Sequence, residues 1–258
     1  MPFTLLVFVL FLLVQTGSAA APLVDVFTSG QEGYPSVRIP ALLATSRDTL
    51  LAFAEGRVRA HDHAENDIIL KRSTDGGRTW GPLQVIEDAG EDALNNPTAV
   101  LLRETGRVLL VYQRYAKGFD ERRAEPGHTG PRVCRTFITQ SDDDGVSWSE
   151  PREITAQIKR PTEATSTAAG PGIGIQLTQG PQAGRILIPF NQGPYGQWKV
   201  YAAFSDDQGR TWRFGETAPE GTPGHANEVQ FAELADGTVM LNARNQGTGS
   251  SKHRKIAI

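Results

Sequence analysis

Ser73-Thr74-Asp75-Gly76-Gly77-Arg78-Thr79-Trp80 returns twice along the chain, as Ser141-Asp142-Asp143-Asp144-Gly145-Val146-Ser147-Trp148 and as Ser205-Asp206-Asp207-Gln208-Gly209-Arg210-Thr211-Trp212. The shared pattern is Ser-x-Asp-x-Gly-x-Ser/Thr-Trp, and the opening serines lie 68 and 64 residues apart. Each fixed position has a physical use. An Asp carboxylate accepts backbone N–H groups in a turn, Gly supplies a positive φ, and Trp offers a large face to pack on a sheet. A strand-like run precedes each box, at residues 68–71, 136–139 and 200–204. Other apolar or alternating runs fill the intervals, at 49–53, 108–112, 186–189 and 238–242, with turns such as Asp236-Gly237 between them. No amphipathic helical period follows the apolar N-terminus. Short strands and one box per repeat predict an all-β architecture, a β-propeller whose four-stranded blades surround an axis. At roughly 65 residues per repeat the chain holds about four blades.

Composition excludes several classes. The 258 residues carry 26 basic and 29 acidic side chains, which leaves neither a nucleic-acid footprint nor a polybasic membrane patch. A hydrophobic content of 39% fits a folded globular chain rather than a disordered one. Residues 5–14 form an unbroken apolar run, and Ser18 and Ala20 after it fit the small-x-small pattern of a signal-peptidase site. We read residues 1–20 as a signal peptide and 21–258 as a single domain, secreted to an extracellular or periplasmic space. The alternative, a retained anchor, is disfavoured because the run falls short of the roughly 20 residues needed to span a bilayer. The n-region lacks Lys and Arg, so the α-amino group alone supplies its positive charge. Cys134 is the single cysteine and has no partner for an internal disulfide; its strand-like setting predicts a buried thiol.

The repeats resemble the Asp boxes of sialidases, and Val37-Arg38-Ile39-Pro40-Ala41-Leu42 resembles the Arg-Ile-Pro motif that opens sialidase domains. The resemblance runs from about Val24 to the end of the chain and implies a six-bladed propeller. Asp boxes also occur in propellers that only bind, so the boxes speak for the fold and the other motifs must speak for function. In the family the first arginine, here Arg38, is one of three that grip the substrate carboxylate. A guanidinium fork suits that task because it holds a carboxylate bidentately and never loses its charge. Phe53-Ala54-Glu55-Gly56-Arg57 follows, with Asp62 five residues beyond Arg57. The resemblance makes Arg57 a pocket residue and Asp62 the general acid/base, which needs a pKa raised by burial under the bound sugar. Glu65 and Asp67 are nearby carboxylates without that spacing.

Asn95-Asn96-Pro97-Thr98 resembles a segment bordering the family's pocket, which makes Asn96 a binding candidate. Some members have aspartate at that position. The segment 170–177 also resembles a family stretch, one in which the residue at Ile173 is usually histidine. Asn227-Glu228-Val229-Gln230-Phe231 and Leu241-Asn242-Ala243-Arg244-Asn245 complete the set. Glu228 matches the glutamate that activates a catalytic tyrosine, and Arg244, 16 residues on, matches the second clamp arginine. Glu233 falls in a hairpin arm, where an exposed or propping role is expected. A neutral phenol is a suitable nucleophile because the reacting carbon carries a carboxylate that repels an anionic one.

The family's tyrosine and third arginine are expected beyond residue 258, since residues 255–258 resemble the strand before a fourth Asp box. Tyr34, Tyr112, Tyr115, Tyr195 and Tyr201 all lie outside the nucleophile's position. The 258-residue chain alone is therefore expected to be an incomplete site on an open sheet edge, poorly soluble or inactive. The implied activity is that of an exo-α-sialidase, releasing terminal sialic acid from glycoproteins, glycolipids (gangliosides among them) or oligosaccharides with retention. No cofactor, metal or nucleic-acid partner is implied, and no membrane span after signal cleavage. The alternative is a non-catalytic, glycan-binding Asp-box propeller. A neutral-sugar glycosidase is disfavoured, because two converging arginines without an anion repel each other.

Overall fold

The computed structural model describes residues 23–219, 226–246 and 253–258, so the signal-peptide reading lies outside the described residues. Within them the chain is almost entirely strand. The first blade is an antiparallel meander of β1 (Ser36–Ala44), β2 (Leu50–Arg57), β3 (Asn66–Ser73) and β4 (Gln84–Glu87). The second repeats it with β5 (Ala93–Leu101), β6 (Val108–Tyr115), β7 (Arg135–Ser141) and β8 (Arg152–Glu153). One short helix follows, α1 (Thr155–Ile158), the single helix among the described residues. It is too brief to leave a helical period in the sequence.

In the third blade the inner strand is broken into β9 (Thr167–Ala169), β10 (Gly172–Ile173) and β11 (Ile175–Gln176). The pieces β9 and β11 pair with β12 (Ile186–Gln192), which continues through β13 (Lys199–Ser205) to β14 (Arg213–Thr217). The middle piece β10 runs parallel to β5 of the preceding blade, placing Ile173 opposite Ala99. Three strands of a fourth blade are β15 (Ala226–Glu233), β16 (Val239–Asn245) and β17 (Lys255–Ala257). The fold is thus three blades and most of a fourth of the expected propeller.

The core lies between the blades. The middle strands β2 and β6 are buried almost end to end because both of their faces meet another sheet. Phe53, Leu70, Leu110 and Tyr112 join blades one and two, while Val111, Ile138, Ile188 and Trp212 join two and three. Leu187, Val200, Val229 and Phe231 join three and four. Cys134 is fully buried, as its setting predicts.

The boxes lock the corners of this stack with one network drawn three times. In the second, Ser141 Oγ donates to Asp143 Oδ1 and accepts the Gly145 N–H, both at 2.8 Å. The Ser147 N–H donates to Asp143 Oδ1 at 2.8 Å. Asp75 and Asp207 take the same donors from Thr79 and Thr211. Gly145 has φ 79° and Gly209 φ 83°. A Cβ there would also stand 2.9 Å and 2.5 Å from Leu51 and Leu109 of the preceding blade. Glycine is required on both counts.

Burial pushes the Asp143 and Asp207 carboxyls up, but the hydroxyl and amide donors outweigh it and hold both at about 2. A carboxyl held below its unfolded value of about 3.9 contributes stability above that pH and loses it as the pH falls through the folded value. Stability is therefore expected to drop between about pH 4 and about pH 2. Asp143→Asn is expected to cost about 1–3 kcal/mol at neutral pH and to flatten that acid limb, measured by urea unfolding across pH.

Candidate active site

Each inner strand breaks its ladder at one level. Ile39, Asn96 and Glu228 have φ of 55°, 56° and 46°, and Gly170 has 42°. The pairing of β1, β5 and β15 shifts register at these points, between Arg38 and Ala41, Asn95 and Thr98, and Asn227 and Val229. A bulge of this kind re-aims the side chains beside it, and a β-branched residue at positive φ, as at Ile39, is a steric outlier. Four strands from four blades thus turn the same way toward one cavity of about 330 Å³.

All six residues singled out from the sequence line that cavity: Arg38, Arg57, Asp62, Asn96, Glu228 and Arg244. Arg38 is 58% exposed and its Nη1 lies 3.8 Å from Asp62 Oδ1. Arg57 is 1% exposed and donates from Nη1 to Asp62 Oδ1 at 2.8 Å. Its Nε donates to Glu55 Oε2, also at 2.8 Å, and Nη2 reaches the same oxygen. Arg244 pairs through Nη1 with Glu228 Oε2 at 2.9 Å and donates from Nε to Asn227 Oδ1 at 3.0 Å. No hydrogen bond joins the Glu228 carboxylate to a tyrosine among the described residues. Asn96 faces the cavity, but its Nδ2 donates to the Ala169 carbonyl at 3.0 Å. Its amide is tied to the third blade as much as it is offered to a ligand.

Two expectations can be set against this geometry. Burial pushes the Asp62 carboxyl up, but the Arg57 hydrogen bond and the charges of Arg57 and Arg38 outweigh it, so the carboxyl is held below the ordinary range. These neighbours therefore give it the opposite of the raised value that acid chemistry requires. Glu233 does prop: it accepts the Thr178 N–H at 2.8 Å and the Gln179 N–H at 3.0 Å, tying blade four to a hairpin of blade three.

Arginines Arg38, Arg57, Arg122 and Arg244 outnumber the lining carboxylates Asp62, Glu121 and Glu228, so the cavity favours an anion. Residues 48–257 match the family model described as BNR repeat-like domain. The chain belongs to this family. It is 38% identical over 242 residues to a sialidase of Micromonospora viridifaciens, covering 91% of this chain and 36% of that protein. Sialidase-4 of Mus musculus is 32% identical over 226 residues, covering 81% and 45%. Among solved structures, the Hadza microbial sialidase Hz136 superposes with a TM-score of 0.78 at 26% identity, over 88% of this chain and 45% of that one. An intramolecular trans-sialidase from Ruminococcus gnavus has a TM-score of 0.75 at 20% identity, over 86% and 68%, a likeness of fold alone. The chain spans between 36% and 52% of the length of the first three curated relatives. Its blades are those of the sialidase-type propeller.

In this BNR repeat-like protein several cavity residues were not singled out from the sequence. Glu121 and Arg122 come from the connection between β6 and β7, and Tyr195 from the loop after β12. Arg122 stacks 4.6 Å from the Tyr195 ring and donates to its hydroxyl at 2.9 Å. Burial, then the negative charges of Asp62 and Asp120, raise the Glu121 carboxyl. The most consequential is Glu55, fully buried behind the cavity wall. Its Oε1 accepts the Asn96 N–H at 2.8 Å while Oε2 holds Arg57. Strand alternation was a signal for it, since Glu55 and Arg57 share a face of β2.

Removing one partner of a buried pair strands the other's charge. Glu55→Gln is expected to destabilise the fold by roughly 3–5 kcal/mol in urea unfolding. The double change Glu55→Met, Arg57→Met should cost less than Glu55→Gln alone. Equal or greater cost in the double variant would show that the pair's charge is not what matters.

Proposed function

We propose that the cavity is the glycon site of a sialidase, taking the terminal sialic acid of a glycoconjugate. The observation that carries this reading is the convergence of Arg38 from the first blade and Arg244 from the fourth on one cavity with Asp62, which comes from the β2–β3 connection of the first blade. Arg38 and Arg244 grip the sugar carboxylate, and Arg57, fixed from behind by Glu55, lines the pocket beside Asp62. Asp62 donates a proton to the leaving oxygen and then takes one from the incoming water. Arrival of the substrate carboxylate draws Arg38 away and excludes water, and both changes raise the Asp62 pKa toward working range.

Glu228, freed from Arg244 when that guanidinium turns to the substrate, is the base for a tyrosine nucleophile, which gives retention. The tyrosine and a third clamp arginine are those that the sialidase resemblance implies. The substrates are sialylated glycoproteins, glycolipids or oligosaccharides, met outside the cell, without a cofactor. No helix among the described residues is long and apolar enough to cross a membrane.

Arg38→Ala and Arg244→Ala should each weaken binding of a sialoside at least tenfold in calorimetric titration. Asp62→Asn should leave that affinity within a few fold yet strongly depress turnover of substrates with poor leaving groups. Binding with no turnover in the wild type would instead favour the glycan-binding propeller.

A further inference from the structure

A second cavity, of about 360 Å³, opens beside the first, and His63 is their one common lining residue. Its walls are Arg59, His61, His63, Phe119, Asp120 and Arg123. Two chain segments form the ridge between the cavities and send side chains to both. On one, Asp62 faces the first cavity while Arg59 and His61 face the second. On the other, Glu121 and Arg122 face the first while Asp120 and Arg123 face the second.

The ridge is held in place. The Asp62 carbonyl accepts Nδ2 of both Asn66 and Asn95 at 2.7 Å, and His63 sets its ring edge-on to Tyr115 at 4.6 Å. Asp120 Oδ1 accepts the N–H groups of Arg122 and Arg123 at 3.0 and 3.1 Å. The position of Asp62 relative to both cavities is therefore a property of the fold.

We propose that this second cavity is the leaving-group subsite, and that it accepts an anionic sugar. The inference rests on the sialidase reading above. A group that protonates the glycosidic oxygen must stand at the junction of the two sugars, and Asp62 is carried on the ridge between the cavities. With the sialic acid in the arginine-lined cavity, the sugar beyond the scissile oxygen enters the other. The chemistry of that wall selects its charge. Arg59 is exposed and has no carboxylate partner among the described residues. Arg123 is 62% exposed and shares its charge with Asp120 only at 3.6 Å. Two histidines complete a rim with one carboxylate against two guanidinium groups. The half-buried Phe119 ring, with Arg123 above it at 5.9 Å, supplies an apolar face for a sugar ring. A carboxylate, as in a second sialic acid, and a sulfate ester both present a pair of anionic oxygens that a guanidinium fork binds.

The test is calorimetric titration of the protein with three non-hydrolysable thiosialosides. One ends in lactose, one in a sulfated lactose, and one in a second sialic acid. At least one anionic ligand should bind about tenfold tighter than the lactose one, and which one gains identifies the anion. Arg59→Ala combined with Arg123→Ala should collapse that ratio toward one, while Arg78→Ala in the first Asp box keeps it. Equal affinity for all three ligands, or a ratio that survives the double variant, overturns the leaving-group assignment alone. No measurable binding of any sialoside, or binding indifferent to Arg38→Ala, overturns the sialidase reading and this inference with it.

Discussion

A carboxylate with no water around it must find all its donors in the protein, and Glu55 finds them in two different blades. Its Oε2 takes the guanidinium of Arg57 from the same strand, and its Oε1 takes the backbone N–H of Asn96 from the next blade. Burial pushes the Glu55 carboxyl up while the Arg57 charge and the Asn96 amide pull it back. The Asn96 N–H points at it only because the inner strand of blade two bulges there, with Asn96 at φ 56°. A non-glycine residue in that region costs about 1–3 kcal/mol, and asparagine tolerates it better than most. The charge and the strain therefore require each other.

From that contact a belt runs around the axis. Asn96 Nδ2 passes on to the Ala169 carbonyl of the third blade, and the Gly170 carbonyl there accepts the Val229 N–H of the fourth at 2.9 Å. Every link falls at or next to a bulge residue. The same local distortion thus joins neighbouring blades and aims Arg38, Asn96 and Glu228 into one cavity. Cavity geometry and inter-blade registry are not separable here: a change that relaxed a bulge would loosen both.

The fold was legible because its signal is local and repeated. Each strand-like run before a box lies inside an observed strand, and each box closes with the expected bonds. The tryptophans show the limit of local reasoning. Trp212 is buried and donates Nε1 to the Gly209 carbonyl, whereas Trp80 and Trp148 leave a buried Nε1 unbonded. What each ring meets depends on the neighbouring blade, which the motif does not encode. The site divides in the same way. Arg38, Asp62, Glu228 and Arg244 were legible through motifs on strands and tight connections. Glu121, Arg122 and Tyr195 were not, because long loops bring them in and no periodicity governs where such loops return.

Asp62 brings these strands of reasoning together. On the proposed reading Asp62 is an acid catalyst that must hold its proton near working pH, yet Arg57 sits 2.8 Å away and Arg38 3.8 Å away, and together they favour its ionised form. Arg38 is exposed and free to turn to an incoming carboxylate. Arg57 is not: it is buried and shared with Glu55, whose negative charge offsets part of what Asp62 feels. On the proposed reading, Glu55 is what leaves Asp62 adjustable. Without it, a buried and unneutralised guanidinium would hold Asp62 ionised even under the bound sugar, and the acid step would lose its proton. The buried carboxylate that holds the blades in register is then also the one that sets how far ligand binding can raise its exposed neighbour.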